Sequence, residues 1–264
     1  MKPLSFLLIS VLISVGCATT HPRNNVRRML PRDSFMKVEK TITVTACNPR
    51  NPKQCITKKF GATASGAVVS NLSNSAYVLT AGHVCFDKKA RGLFQKYPHT
   101  MEFEVLDIDY RRYGVEIVAL DLQNDLCMLY VKGLTRPALR IESSKPKPGD
   151  RVYNIAAPLG IFDRQMVPIF EGFYDGEMRG EAIFTIPARG GSSGSPIINH
   201  RGALVGMVSK AFTYFTHLAI SPSFESVNNF VHAAVDHDSK KRVADGFIKK
   251  LMVLIKNKKV AKKP

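Results

Sequence analysis

The sequence has no fixed repeat and no Cys-x-x-Cys or His-x-x-x-His pair. Past its first residues it also has no apolar run near the roughly 20 residues that cross a bilayer. The missing repeat excludes collagen-like and solenoid architectures, and the missing metal spacings give no reason to expect zinc. Acidic residues are scarce as well, 21 against 38 Lys and Arg, for a net charge of +17. Such an excess points to an anionic partner or surface, and its placement along the chain matters more than its sum. What is present is 264 residues with 45% hydrophobic content, enough for one or two buried cores. Short Val/Ile/Thr/Tyr runs between turn residues make an all-β architecture the expectation.

Met1-Lys2 and the apolar stretch Leu4 to Val15 form a short basic segment and about a dozen apolar residues, the pattern of an export signal. Ser14-Val15-Gly16-Cys17 resembles a bacterial lipobox, which implies lipidation at Cys17, although Ser14 stands where that pattern usually has Leu. The expected location is therefore outside the cytoplasm, lipid-anchored to a bacterial membrane, or otherwise secreted. An oxidising compartment leaves Cys47, Cys55, Cys85 and Cys127 as candidates for bridges. Cys47 and Cys55 flank Asn48 to Gln54, where a bridge would close a hairpin. Cys85 and Cys127 each lie two residues past a residue assigned below to the chemistry, so they meet if those residues meet. Four free, buried thiols are the alternative.

Residues 18–34 are polar, basic and Pro-containing, as in a tether, and folding is expected from Phe35. Strand-like runs fall at 40–46, 67–70, 76–80, 101–108, 115–120 and 126–131, and, after a Pro/Lys-rich link, at 151–156, 165–173, 182–186, 196–199, 203–208 and 214–220. Two groups of six predict two packed antiparallel barrels, at about 35–142 and 149–222. A 3.6-residue period carried by Phe224, Val227, Phe230, Val231 and Val235 predicts a helix over about 223–236, started by Ser223 and packed on barrel two. The folded domain is thus expected over 35–238 and a basic helical tail over 239–264. Residues 240–264 hold ten Lys/Arg and one Asp, so about half of the excess charge sits there. An amphipathic helix on anionic lipid and a docked helix with a solvated lysine end are both readings of that tail.

Three segments carry chemistry: Leu79-Thr80-Ala81-Gly82-His83-Val84, Asn124-Asp125-Leu126-Cys127-Met128-Leu129, and Gly190-Gly191-Ser192-Ser193-Gly194-Ser195-Pro196. A serine that hydrolyses amides needs a base for its proton, an acid to hold the imidazole tautomer, and backbone N–H groups aimed at the oxyanion. With these motifs in the order His, Asp, Ser, residues 60–235 resemble a trypsin-like serine peptidase of the chymotrypsin fold. In motif style they come nearest to the bacterial glutamyl-endopeptidase and periplasmic heat-shock-protease branches. Gly149-Asp150-Arg151-Val152 and Ala157-Pro158-Leu159-Gly160 resemble the segment that opens the second barrel.

The resemblance implies His83 as general base, Asp125 as its orienting acid and Ser193 as nucleophile, with Gly191 and Ser193 supplying the oxyanion N–H groups. Asp121 is the rival acid, but the matching strand follows Asp125; Ser192 and Ser195 read as turn hydroxyls. Ser192 replaces the acid that in animal trypsins pairs with a freed N-terminus, so activation by N-terminal cleavage is not expected. Pro187 stands at the base of the specificity pocket, which disfavours cleavage after Arg or Lys. The strand Val208-Ser209-Lys210-Ala211 and His217 line the walls, and a small or apolar preference is expected. The sequence therefore predicts an exported serine endopeptidase, monomeric, acting on polypeptides with no cofactor and no metal. Nucleic acid is not an expected partner. The alternative is a catalytically silent, peptidase-like binding protein on a membrane or polyanionic surface.

Overall fold

A computed structural model describes residues 30–86, 97–212 and 214–260. Cys17, the export signal and residues 18–29 of the expected tether lie outside the described residues. The chain enters through a 3-10 turn, Arg32–Ser34, inside the stretch read as tether, where Ser34 is already buried.

Two antiparallel β units follow one another. The first has strands β1 (Phe35–Asn48), β2 (Asn51–Asn71), β3 (Ser75–Ala81), β4 (His99–Leu106), β5 (Arg112–Gly114), β6 (Glu116–Asp121) and β7 (Leu126–Lys132), in the order β5-β4-β1-β2-β3-β7-β6. The second has β8 (Arg151–Ile155), β9 (Ile169–Met178), β10 (Glu181–Phe184), β11 (Pro196–Asn199), β12 (Leu204–Met207), β13 (Lys210–Ala211) and β14 (Ala219–Pro222), in the order β12-β11-β8-β9-β10-β14-β13. Each sheet has seven strands where six were expected. The additions are short and polar: β5 is Arg-Tyr-Gly, and β13 is an exposed Lys-Ala pair cut from β14 by a loop. Neither contains the apolar alternation by which strands are read.

The cores follow from the pleat. β3 is buried along its whole length because neighbours flank it on both sides and both of its faces are covered. Its partner β7 runs in unbroken register from Ser75 opposite Lys132 to Ala81 opposite Leu126. That register puts the end of β3 beside the start of β7, where two of the chemical motifs lie.

The C-terminal segment differs from the expectation. One helix, α2, runs from Phe224 to Val260 without a break at 237–239. Ser223 Oγ caps it by accepting the Ser226 N–H at 3.0 Å. It does not pack on the second unit alone, because Val227, Val231 and Ala234 join the core cluster that contains the first unit's residues. Tyr77 Oη donates to Asp238 at 2.9 Å, and Arg242 bonds Asp238 and, at 2.8 Å, Glu116. Polar residues that resemble a helix end are thus the ones that pin the helix to barrel one.

Candidate active site

Directly after β3 the chain builds a short helix, α1 (Gly82–Cys85), which carries His83. Gly82 donates its N–H to Asp125 O at 2.8 Å, and a Cβ on it would lie 2.9 Å from the Asp125 carbonyl carbon. The glycine therefore sets the approach of the two motifs. Asp125 itself has φ 55°, in the left-handed region that Asp tolerates better than most residues. The turn before it is held by Asp121, which accepts the N–H groups of Gln123 and Asn124 at 2.9 and 3.0 Å and the Asn124 amide at 2.7 Å. Asp121, the rival acid, is committed to the turn that delivers Asp125.

His83 Nδ1 lies 3.0 and 2.9 Å from the two Asp125 carboxylate oxygens, and Nε2 lies 3.0 Å from Ser193 Oγ. Burial raises the Asp125 pKa, but hydrogen bonds from His83 and Ser209 outweigh it and hold the carboxyl below its ordinary range. The imidazole side chain is 49% exposed and the carboxylate 17%, so the ring faces the cleft and the carboxylate lies behind it. Ser209 Oγ donates to Asp125 Oδ2. Cys85 and Cys127 form a disulfide, as do Cys47 and Cys55.

The loop that carries Ser193 is held by backbone hydrogen bonds. Leu159 N–H donates to Gly190 O at 2.6 Å, and Ser195 N–H donates to Ser192 O at 2.9 Å. In a trans peptide the C=O and the following N–H point oppositely, so these bonds aim the N–H groups of Gly191 and Ser193 to the other side. Neither N–H has a protein acceptor among the described residues. Gly191 has φ 96°, and a Cβ there would sit 2.4 Å from Ala157 O, so no other residue fits. The arrangement can take a proton from Ser193, pass it to a leaving group and receive an oxyanion on two N–H donors.

A cleft of about 290 Å³ opens beside Ser193 against Ala188, Arg189, Gly190, Val208, Lys210, Ala211, Phe212 and Thr216. Lys210 and Ala211 are among the residues expected there. Pro187, Ser209 and His217 do not line it: Ser209 turns its hydroxyl to Asp125, His217 packs beside Phe215, and Ala188, bonded through its N–H to Thr216 O, takes the wall position next to Pro187. Lys210 is paired with Glu181 at 2.6 Å. A second cleft, of about 230 Å³, lies across Ser193 against Lys40, Ala62, Thr63, Ala64 and Val84. The Ser195 hydroxyl is not a turn donor but the buried partner of Asn154 Nδ2 at 2.8 Å. Asn154 and Ser65 carry no local sequence signature, because their roles depend on contacts between distant segments, and Leu159 is marked only by its motif. The Ala157-Pro158-Leu159-Gly160 motif was the one available signal.

The trypsin-like peptidase domain family matches residues 64–207, the span that holds His83, Asp125 and Ser193, and the chain belongs to that family. Among curated proteins it is similar to probable periplasmic serine endoproteases, DegP-like, of Pseudomonas putida strains. It is 27% identical to that of strain GB-1 over 174 residues, covering 62% of this chain and 32% of the relative. The protein of strain W619 matches to the same extent. The chain therefore spans about a third of the length of these relatives. Of solved structures, the serine endoprotease from Yersinia pestis superposes with a TM-score of 0.57 at 17% identity, covering 81% of this chain and 66% of that one. Rv3671c of Mycobacterium tuberculosis, in a mutant, inactive form, superposes with a TM-score of 0.55 at 16% identity, covering 80% and 89%. At these identities the structural likeness speaks for the fold.

Proposed function

We propose that the protein is an exported serine endopeptidase that cleaves polypeptides through an acyl-enzyme on Ser193. The observation that carries this reading is the continuous line from the Asp125 carboxylate through His83 Nδ1 and Nε2 to Ser193 Oγ, every link at 2.9 to 3.0 Å. In this reading His83 takes the Ser193 proton as the hydroxyl attacks the scissile carbonyl, and Asp125 stabilises the imidazolium. The N–H groups of Gly191 and Ser193 receive the oxyanion, and His83 then protonates the leaving amine. Water repeats the sequence on the acyl-enzyme. Export is supported by the apolar N-terminal segment and by the periplasmic designation of the Pseudomonas relatives. Lipidation at Cys17 would hold the enzyme at a membrane, and the lysine-rich end of α2 would add attraction to anionic lipid.

The test is labelling with a fluorophosphonate probe, with peptide mass mapping and a Ser193→Ala control. Stoichiometric label on Ser193, absent in Ser193→Ala and strongly slowed in His83→Ala, is the expected result. A folded protein that takes no label overturns the reading.

A further inference from the structure

Ser65 lies on β2, in the first β unit, fully buried, and 126 positions in sequence from the loop it touches. Its hydroxyl donates to Gly191 O at 2.8 Å and accepts the Ala157 N–H at 3.0 Å. The assignment is forced, because a carbonyl can only accept and an amide N–H can only donate. Its backbone N–H donates to Ser193 O at 2.8 Å. The four carbonyls from Gly190 to Ser193 thus have donors from Leu159, Ser65 Oγ, Ser195 and Ser65 N–H, and Ser65 supplies two of them. The same hydroxyl ties the loop to Ala157, whose carbonyl faces the α-carbon of Gly191.

We propose that Ser65 is a positioning residue for peptide hydrolysis. Its hydroxyl holds the carbonyl end of the Gly191-Ser192 peptide, whose N–H end rests on Arg189 O, and this peptide joins the two that carry the Gly191 and Ser193 N–H groups, so the hydroxyl steadies their aim at the oxyanion. This inference rests on the peptidase reading above. Without the hydroxyl, the Gly191 carbonyl and the Ala157 N–H lose partners in a buried site, and the peptide between Gly191 and Ser192 keeps only one of its two tethers, the Ser192 N–H on Arg189 O at 2.9 Å. Gly191 offers little resistance, since glycine has the widest backbone freedom. The lesion is separable from loss of fold, because Ser65→Ala keeps the backbone N–H bonded to Ser193 and the carbonyl that accepts from Thr80 Oγ1. It is also separable from the base, because the Ser65 hydroxyl bonds Gly191 and Ala157, while His83 is held by Asp125.

The experiment compares wild type with Ser65→Ala, Ser65→Cys and Ser65→Thr, using labelled casein for turnover and a fluorophosphonate for a single covalent step. Loss of an oxyanion donor typically costs about 10²–10³ in turnover, and partial misaiming is expected to cost about 10–100-fold in kcat and in the maximal labelling rate. KM and the probe concentration for half-maximal rate are expected to stay within about twofold, the pattern of an interaction made only in the transition state. Rates should fall in the order Ser, Thr, Cys, Ala, following the strength of the donor, while the pH–rate profile keeps its wild-type shape. Full kcat in Ser65→Ala, a loss confined to KM, or a Thr variant as slow as Ala overturns the inference while the peptidase reading stands. An inert, unlabelled wild type overturns both.

Discussion

Asp125 holds His83 at two points. One carboxylate oxygen accepts the His83 backbone N–H at 2.7 Å, and both carboxylate oxygens lie within 3.0 Å of ring Nδ1. The first bond fixes where α1 begins, and the second fixes which way the ring faces. The Ser209 hydroxyl completes the set from the second β unit, so the acid joins both halves of the molecule.

Asp125→Asn is expected to lower kcat on the order of 10⁴-fold while the protein stays folded. The amide can still accept the His83 N–H through its oxygen, but its NH₂ then faces Nδ1 and favours the tautomer protonated on Nε2, which cannot take the Ser193 proton. In the native protein the Asp125 pKa is depressed. Its contribution is therefore present above the ordinary carboxylate range and lost only as pH falls through the lower, folded value. The native rate profile should accordingly show no break near the ordinary carboxylate pKa. Less than a tenfold loss in Asp125→Asn would remove the orienting role.

The parts legible in the sequence were those written in contiguous residues. Gly82-His83, Asn124-Asp125 and the run Gly190 to Pro196 are local turns whose conformations depend on the residues in them, and each ends or begins a strand of strong apolar pattern. Ser65 has no such signature, because it lies in the small-residue run Gly61-Ala62-Thr63-Ala64-Ser65-Gly66, outside the strand-like run at 67–70, and only the closure of the second unit gives its hydroxyl a partner. β5 and β13 are paired by tertiary neighbours alone, and their own composition carries little strand preference. The length of α2 was hidden for a related reason. Asp236-His237-Asp238-Ser239 reads as a polar helix end, and only the buried Tyr77 hydroxyl and the Tyr130 ring explain why the helix continues through it.

The two disulfides should differ in what they protect. Cys47–Cys55 closes a separation of 8 residues at the tip of the β1–β2 hairpin, far from the cleft. Cys85–Cys127 spans 42 residues and joins the segments that carry His83 and Asp125. Loop-closure entropy predicts a loss of about 2–3 kcal/mol for the first and about 4 kcal/mol for the second. Urea denaturation of the paired Cys→Ala variants measures this, and turnover should fall only when Cys85 and Cys127 are replaced. A hairpin-tip variant that loses as much stability and activity as the buried one would contradict the assignment.

Arg242 makes the position of a C-terminal truncation decisive. Its guanidinium sits 3.4 Å from the centroid of the Tyr130 ring and bonds Asp238 and Glu116, so removing residues 240–264 takes the cation from the buried Asp238 carboxylate and leaves it with the Tyr77 hydroxyl. Leaving that carboxylate without its cation is expected to lower stability by about 1–3 kcal/mol, below the cost for a fully buried pair because Arg242 is partly exposed. Stopping after Phe247 instead keeps every one of these contacts and still deletes seven lysines. With about 1 kcal/mol available per lysine near an anionic surface, the shorter deletion should weaken binding to phosphatidylglycerol vesicles at least tenfold. Its unfolding midpoint and its turnover of a small peptide should match those of the full chain. Unchanged vesicle binding would separate the lysine-rich end of α2 from any membrane role, and a large loss of stability in the shorter deletion would show that the helix is anchored beyond Arg242.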